Sequence, residues 1–138
     1  MLKITTTTLS IFAVSIISSQ AASPSKVIFR DVYNGTCTIQ TSIDGTYYDK
    51  VILKINKTGK ITGSAHNQKS GELSAVKGVI GKVTIQYGSG YTGKATGSFS
   101  DGTKWVASIV ATKGYPDKGI NGTATNGAAS GIINLTTR

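Results

Sequence analysis

One cysteine, one histidine, one tryptophan, two prolines and six carboxylates are all that this chain of 138 residues holds of those types, and each scarcity excludes something. A single thiol, Cys37, cannot form a disulfide within the chain, so the fold must rest on packing and backbone hydrogen bonds. Cys37 shares an apolar strand face with Gly35 and Ile39, which favours a buried, inert thiol over an intermolecular disulfide or a ligand role. His66 has no second histidine for a metal site and no spacing that pairs it with Cys37, so it reads as a surface residue. The carboxylates Asp31, Asp44, Asp49, Glu72, Asp101 and Asp117 fall mostly in turns. Asp44 and Asp101 open Asp-Gly turns, while Asp49 interrupts a strand beside Tyr47, Tyr48 and Lys50 as a solvated or bulged position. No convergent set of titratable groups emerges, so the chain reads as a non-enzyme with neither metal nor cofactor. Glycine clusters such as Gly88-Ser89-Gly90 join strand to strand, with no helix N-terminus following to hold a phosphate.

Long apolar runs are scarce too. The one near the start, Leu9 to Ile17, follows Lys3 and a threonine run and ends in small residues, the pattern of a secretory signal peptide. Cleavage is expected after Ala21 or Ala22, giving a leader over 1–21. The run is much shorter than the roughly 20 residues of a bilayer span, and no cysteine directly follows it, so a soluble mature chain, periplasmic or extracellular, is expected. The formal charge of +9 becomes 9 − 1 = +8 once Lys3 is removed. Lysines spread from Lys26 to Lys118 favour solubility, blunt strand edges and attract polyanions. Nothing resembles a base-stacking or helix-turn-helix motif, which disfavours nucleic acid as a partner.

What the chain does have is alternation. Tyr91, Gly93, Ala95, Gly97 and Phe99 share one face while Thr92, Lys94, Thr96 and Ser98 share the other, the period of a half-buried strand. Asp101-Gly102 then turns into a second alternating run with Trp105, Ala107, Ile109 and Ala111 inside. The same grammar recurs around Asp44-Gly45, Lys57-Thr58-Gly59 and Asn126-Gly127. Within Leu73 to Ile80 the two halves keep different phase, which predicts a bulge, and Gly81-Lys82 reads as a turn into Val83, Ile85 and Tyr87. Trp105, Phe99, Ile85 and Leu53 are expected to fill the interior. The result is an all-β, antiparallel up-and-down meander of eight or nine short strands over 34–138, preceded by an extension or first edge strand over 22–33. Short reversals join only antiparallel neighbours, so a small closed barrel is favoured over a two-layer sandwich. Inward glycines at Gly63, Gly93, Gly97, Gly122 and Gly131 suit a tightly coiled sheet.

The stretch from Gly45-Thr46-Tyr47 through Lys60-Ile61-Thr62-Gly63-Ser64-Ala65 resembles the glycine-rich secreted β-barrels of bacteria, a group including avidin-like and other calycin-like barrels. In these, G-T-[WY] opens a strand and T-G-[ST] sits in the next. The resemblance covers two strands and implies barrel architecture only, because a chain with one tryptophan lacks the aromatic wall of a biotin pocket. Site candidates are therefore residues expected at a barrel rim: Tyr47, Tyr48 and Tyr91, with Tyr115, Lys113 and Lys118 on or beside the longest loop. They suit a binding module for a protein, glycan or polyanionic ligand. Alternatives are an inhibitor that inserts the loop from Lys113 to Lys118 into a hydrolase, and a matrix protein that stacks through its threonine-rich strands. The sequons at Asn34, Asn56, Asn121 and Asn134 would invite glycosylation in a eukaryotic secretory pathway, but in a chain this rich in Asn, Gly and Thr they arise readily by chance.

Overall fold

A computed structural model describes residues 25–40, 45–86, 90–112, 114 and 117–137. Eight antiparallel strands close into one up-and-down barrel: β1 (Asp31–Gln40), β2 (Gly45–Ile55), β3 (Lys60–Asn67), β4 (Leu73–Gln86), β5 (Gly90–Phe99), β6 (Lys104–Thr112), β7 (Lys118–Asn126) and β8 (Ala129–Thr137). Each strand pairs with its neighbour in sequence, and β1 pairs with β8 from Tyr33↔Thr137 to Gln40↔Ser130. Closure removes both sheet edges, which an open meander would expose to pairing with other chains. The expected barrel is thus the observed one, with the lower of the two expected strand counts.

Burial follows the period of two. Along β6, Trp105, Ala107, Ile109 and Ala111 are buried, and Lys104, Val106 and Ser108 are exposed. Trp105, Tyr33, Tyr48, Phe29, Leu53, Ile55 and Ile61 fill the interior, each under 2% exposed. A wall this strongly coiled brings backbones close at the inward glycines. A Cβ on Gly131 would coincide with the carbonyl oxygen of Thr38 on the neighbouring strand, and one on Gly97 would enter the Trp105 ring. Gly35, Gly63, Gly78 and Gly122 meet neighbouring backbone in the same way, whereas Gly93 is only in tight contact with side chains.

Three expectations need correction. Gly81-Lys82 is not a turn: β4 runs unbroken through both residues, and its pairing with β5 shifts between Ile80 and Val83. The irregularity therefore follows Ile80 instead of dividing Leu73 to Ile80, where Leu73 and Ala75 simply face solvent while Val76 and Ile80 face the core. Ile85 does not fill the interior; it is 68% exposed, because β4 carries on beyond the last core layer. Its partner there is Tyr91, itself only packed against the margin of the core.

Both ends of the barrel are filled by side chains. At the end where β1 begins, a single 3₁₀ turn, Lys26–Phe29, is capped by Ser25, whose hydroxyl accepts from the Val27 amide at 3.2 Å. This turn drops Phe29 into the core, where it is 0% exposed. Tyr33 donates its hydroxyl to the Phe29 carbonyl at 2.8 Å, and burial pushes its phenol well above the ordinary range. At the other end Tyr48 lies edge-on to Phe99, with ring centroids 5.0 Å apart and planes at 75°. Its hydroxyl donates to Asp101. The other Asp101 oxygen accepts from the Thr103 amide at 2.9 Å, and Asn126 donates to the Thr103 hydroxyl at 3.2 Å. Cys37 is buried and free as expected, its thiol pushed up to about 12 by burial and then by the charge of Asp101. Tyr48→Phe removes a hydrogen bond to a charged, partly buried acceptor and is expected to cost about 1.5–3 kcal/mol in urea unfolding.

Candidate functional site: a basic outer wall

Among the described residues the interior is occupied by side chains, so binding chemistry is sought on the outer wall, and the described rim candidates fall at two different ends of the barrel. Tyr47 opens β2 and is 36% exposed, while Tyr48 beside it is 1% exposed and fully engaged in the core and with Asp101. Both stand at the end of the barrel where β1 passes to β2. Tyr91 opens β5 and Lys118 opens β7, at the opposite end, and Tyr91 is half-buried against the core. Lys113 and Tyr115 lie outside the described residues, as do residues 1–21, expected to form a leader, and Asp44 and Tyr87. The structure thus separates Tyr47 and Tyr48 from Tyr91 and Lys118 by the length of a strand.

Lys118 has a local partner. Its ammonium donates to Asp31 at 2.8 Å, tying the start of β7 to the start of β1 across the end of β8, and its amide donates to the Thr137 hydroxyl at 2.8 Å. The hydrogen bond from Lys118, then that from the Val32 amide, hold the Asp31 carboxyl below the ordinary carboxylate range, with burial opposing them. Because the native value is depressed, the stabilisation is complete above the ordinary carboxylate value and is lost as pH falls through the lowered one. The pair is only partly buried and Asp31 stays in contact with solvent, so its contribution should stay near or below about 1 kcal/mol. Urea midpoints measured from pH 6 down to pH 2 should accordingly fall less steeply for Asp31→Asn than for the native chain.

Asp49 and His66, read from the sequence as unrelated surface positions, meet at 2.6 Å between the Asp49 carboxylate and His66 Nδ1. Asp49 sits where the pairing of β2 with β3 shifts between Tyr48 and Lys50, and that irregularity turns its side chain toward β3. Its carboxyl is held low first by the hydrogen bond with His66. Seventeen residues of separation carried no signal of the pair. No group of three or more His, Cys, Asp or Glu side chains able to hold a metal is found among the described residues.

The charge on the outer wall is distributed unevenly. Outward positions on β3 to β6 include Lys60, Lys77, Lys82, Lys94 and Lys104, and no Asp or Glu. Outward positions on β7, β8 and β1 carry neither sign between Asn121 and Thr125, between Ser130 and Thr136, and between Val32 and Gln40. The cross-strand register explains the clustering: Lys77 pairs with Ser98, which pairs with Lys104, and one row away Lys60 pairs with Val79. Neighbouring strands lie about 4.8 Å apart, so Lys77 and Lys104 are rooted about 10 Å from one another. Lys60, Lys77 and Lys104 border a shallow groove of about 500 Å³ floored by Val79, Thr96 and Ser98. None of the three has a carboxylate partner among the described residues. Of the sequon asparagines, Asn34, Asn121 and Asn134 lie on the charge-free wall, with Asn121 directly opposite Asn134.

The chain matches no protein family, no curated protein and no solved structure.

Proposed function

We propose that the protein is an exported, non-enzymatic binding module that holds an acidic polysaccharide on the outer wall formed by β3 to β6. The observation that carries this reading is the lysine set Lys60, Lys77 and Lys104 around a shallow groove, without a carboxylate partner among the described residues and on strands whose outward faces have no carboxylate. A flexible chain bearing spaced negative groups can lie across such a wall, releasing counterions as it binds. The outward faces of β3 to β6 bear no Phe, Tyr or Trp, which disfavours single-stranded nucleic acid, whose bases bind by stacking on aromatic rings. The leader expected over 1–21 would deliver the domain to compartments where acidic polysaccharides occur. Tyr47 and Tyr91 are then peripheral, and Tyr48 belongs to the fold, so Tyr48→Phe should lower stability while leaving polyanion affinity unchanged.

Heparin-agarose is the direct test. Retention at low ionic strength, with elution that shifts to lower salt when Lys60, Lys77 and Lys104 are replaced by Gln, is the expected result. Passage of the native chain through the column at low salt would refute the reading.

A further inference from the structure

A second basic groove lies at the end of the barrel plugged by Phe29. It has a volume of about 660 Å³ and is bordered by Arg30, Lys54, Lys57, Asn56 and Asp31, a size in the range of small-ligand sites. Both segments that form it are fixed. Arg30 closes the 3₁₀ turn, its amide donating to the Val27 carbonyl at 3.1 Å. Across the groove, the Asn56 side-chain carbonyl accepts from the Thr58 amide at 3.0 Å, the Thr58 hydroxyl at 2.7 Å and the Lys60 amide at 2.9 Å, which locks the turn carrying Lys57. Lys54 stands on the strand between them, paired with Val32.

The one carboxylate here does not neutralise these cations. Asp31 gives one oxygen to Lys118 and the other to the Val32 amide, each at 2.8 Å. Arg30, Lys54 and Lys57 have no carboxylate partner among the described residues. An arginine fork flanked by two ammonium groups matches a compact oxyanion, to which guanidinium can donate two parallel hydrogen bonds. The groove also adjoins the lysine wall, since Lys60 follows the same turn and borders the other groove.

From this arrangement we infer that the groove is a recognition site for a single sulfate or carboxylate group, held by Arg30 with Lys54 and Lys57. That the group is carried by a sugar at the end of the bound chain rests on the polysaccharide reading; the anion site itself does not.

The experiment uses the full chain, isotope-labelled, titrated separately with inorganic sulfate, acetate and a heparin-derived tetrasaccharide. Arg30→Lys, Arg30→Gln and, as a control of equal charge loss elsewhere, Lys50→Gln are compared with the native protein, and thermal melting verifies that each is folded. Saturable amide shifts over residues 30–32 and 54–58 with sulfate or acetate are expected, the tighter of the two identifying the group. Arg30→Lys should weaken the tetrasaccharide about tenfold although the charge is kept, because the fork is lost, while Lys50→Gln should change it less than twofold. Equal affinity of the native and Arg30→Lys chains, or shifts spread evenly over the surface, would overturn the site. Saturable sulfate binding in the groove without retention on heparin-agarose would leave the site standing and remove the polysaccharide reading. Retention without any effect of Arg30 would do the reverse.

Discussion

Gly131→Ala is expected to destabilise the barrel by more than about 4 kcal/mol, enough to leave most of the chain unfolded if its stability is typical of a small domain. The added methyl carbon would occupy the position of the Thr38 carbonyl oxygen on β1. That oxygen belongs to the backbone, so relief requires the β1–β8 ladder to separate where Ile39 faces Gly131, and this ladder is the one that closes the barrel. Gly127 provides the contrast. Its φ of +61° is left-handed, but nothing lies within 4 Å of a Cβ placed there, so Gly127→Ala should cost only about 1 kcal/mol. Urea unfolding of both variants separates the two causes. Similar costs would mean that close approach at Gly131 does not limit the fold.

The second large effect concerns the wall. Replacing Lys60, Lys77 and Lys104 together by Gln should lower affinity for an acidic polysaccharide about thirtyfold at low salt, taking about 0.7 kcal/mol for each solvent-exposed ionic contact. The corresponding Arg variant should retain binding, because charge and reach are preserved. Substitution on the uncharged wall, for instance Thr123→Gln or Asn134→Gln, should leave affinity unchanged. The replaced lysines are exposed, so melting temperatures of the Gln variant should stay close to the native value. Loss of binding accompanied by loss of structure would not support a direct contact, and isothermal titration alongside melting distinguishes the cases.

Much of the fold was legible because period-two alternation and Asp-Gly or Asn-Gly reversals act locally. Trp105 to Ala111 and Gly35 to Ile39 needed no knowledge of their partners to be placed facing inward, whereas the inward Tyr33 lay in the stretch expected to be an extension or edge strand. The shift between Ile80 and Val83 was misread as a turn because Gly81-Lys82 is chemically suited to either, and only the partner strand decides whether pairing continues. Ile85 was misplaced for a related reason: alternation gives the side of a strand but not how far the core extends along it. The candidate site was less legible still. Tyr47, Tyr48 and Tyr91 all lie near strand starts, but consecutive starts in an up-and-down barrel alternate between its ends, so nearness to a strand end does not bring residues together. Lys60, Lys77 and Lys104 are far apart in the chain and converge only through a register that composition cannot supply. A total charge was visible from the start, whereas its uneven spread over the outer wall required the order of the strands.

Amide chemical-shift mapping of the labelled chain with a heparin-derived oligosaccharide tests the central claim most directly. Saturable, salt-sensitive shifts centred on Lys60, Lys77, Thr96, Ser98 and Lys104, with the charge-free wall of β7, β8 and β1 unmoved, are the predicted result. Shifts centred on that uncharged wall or on interior positions such as Val51 and Ile109, or none at all, would contradict it.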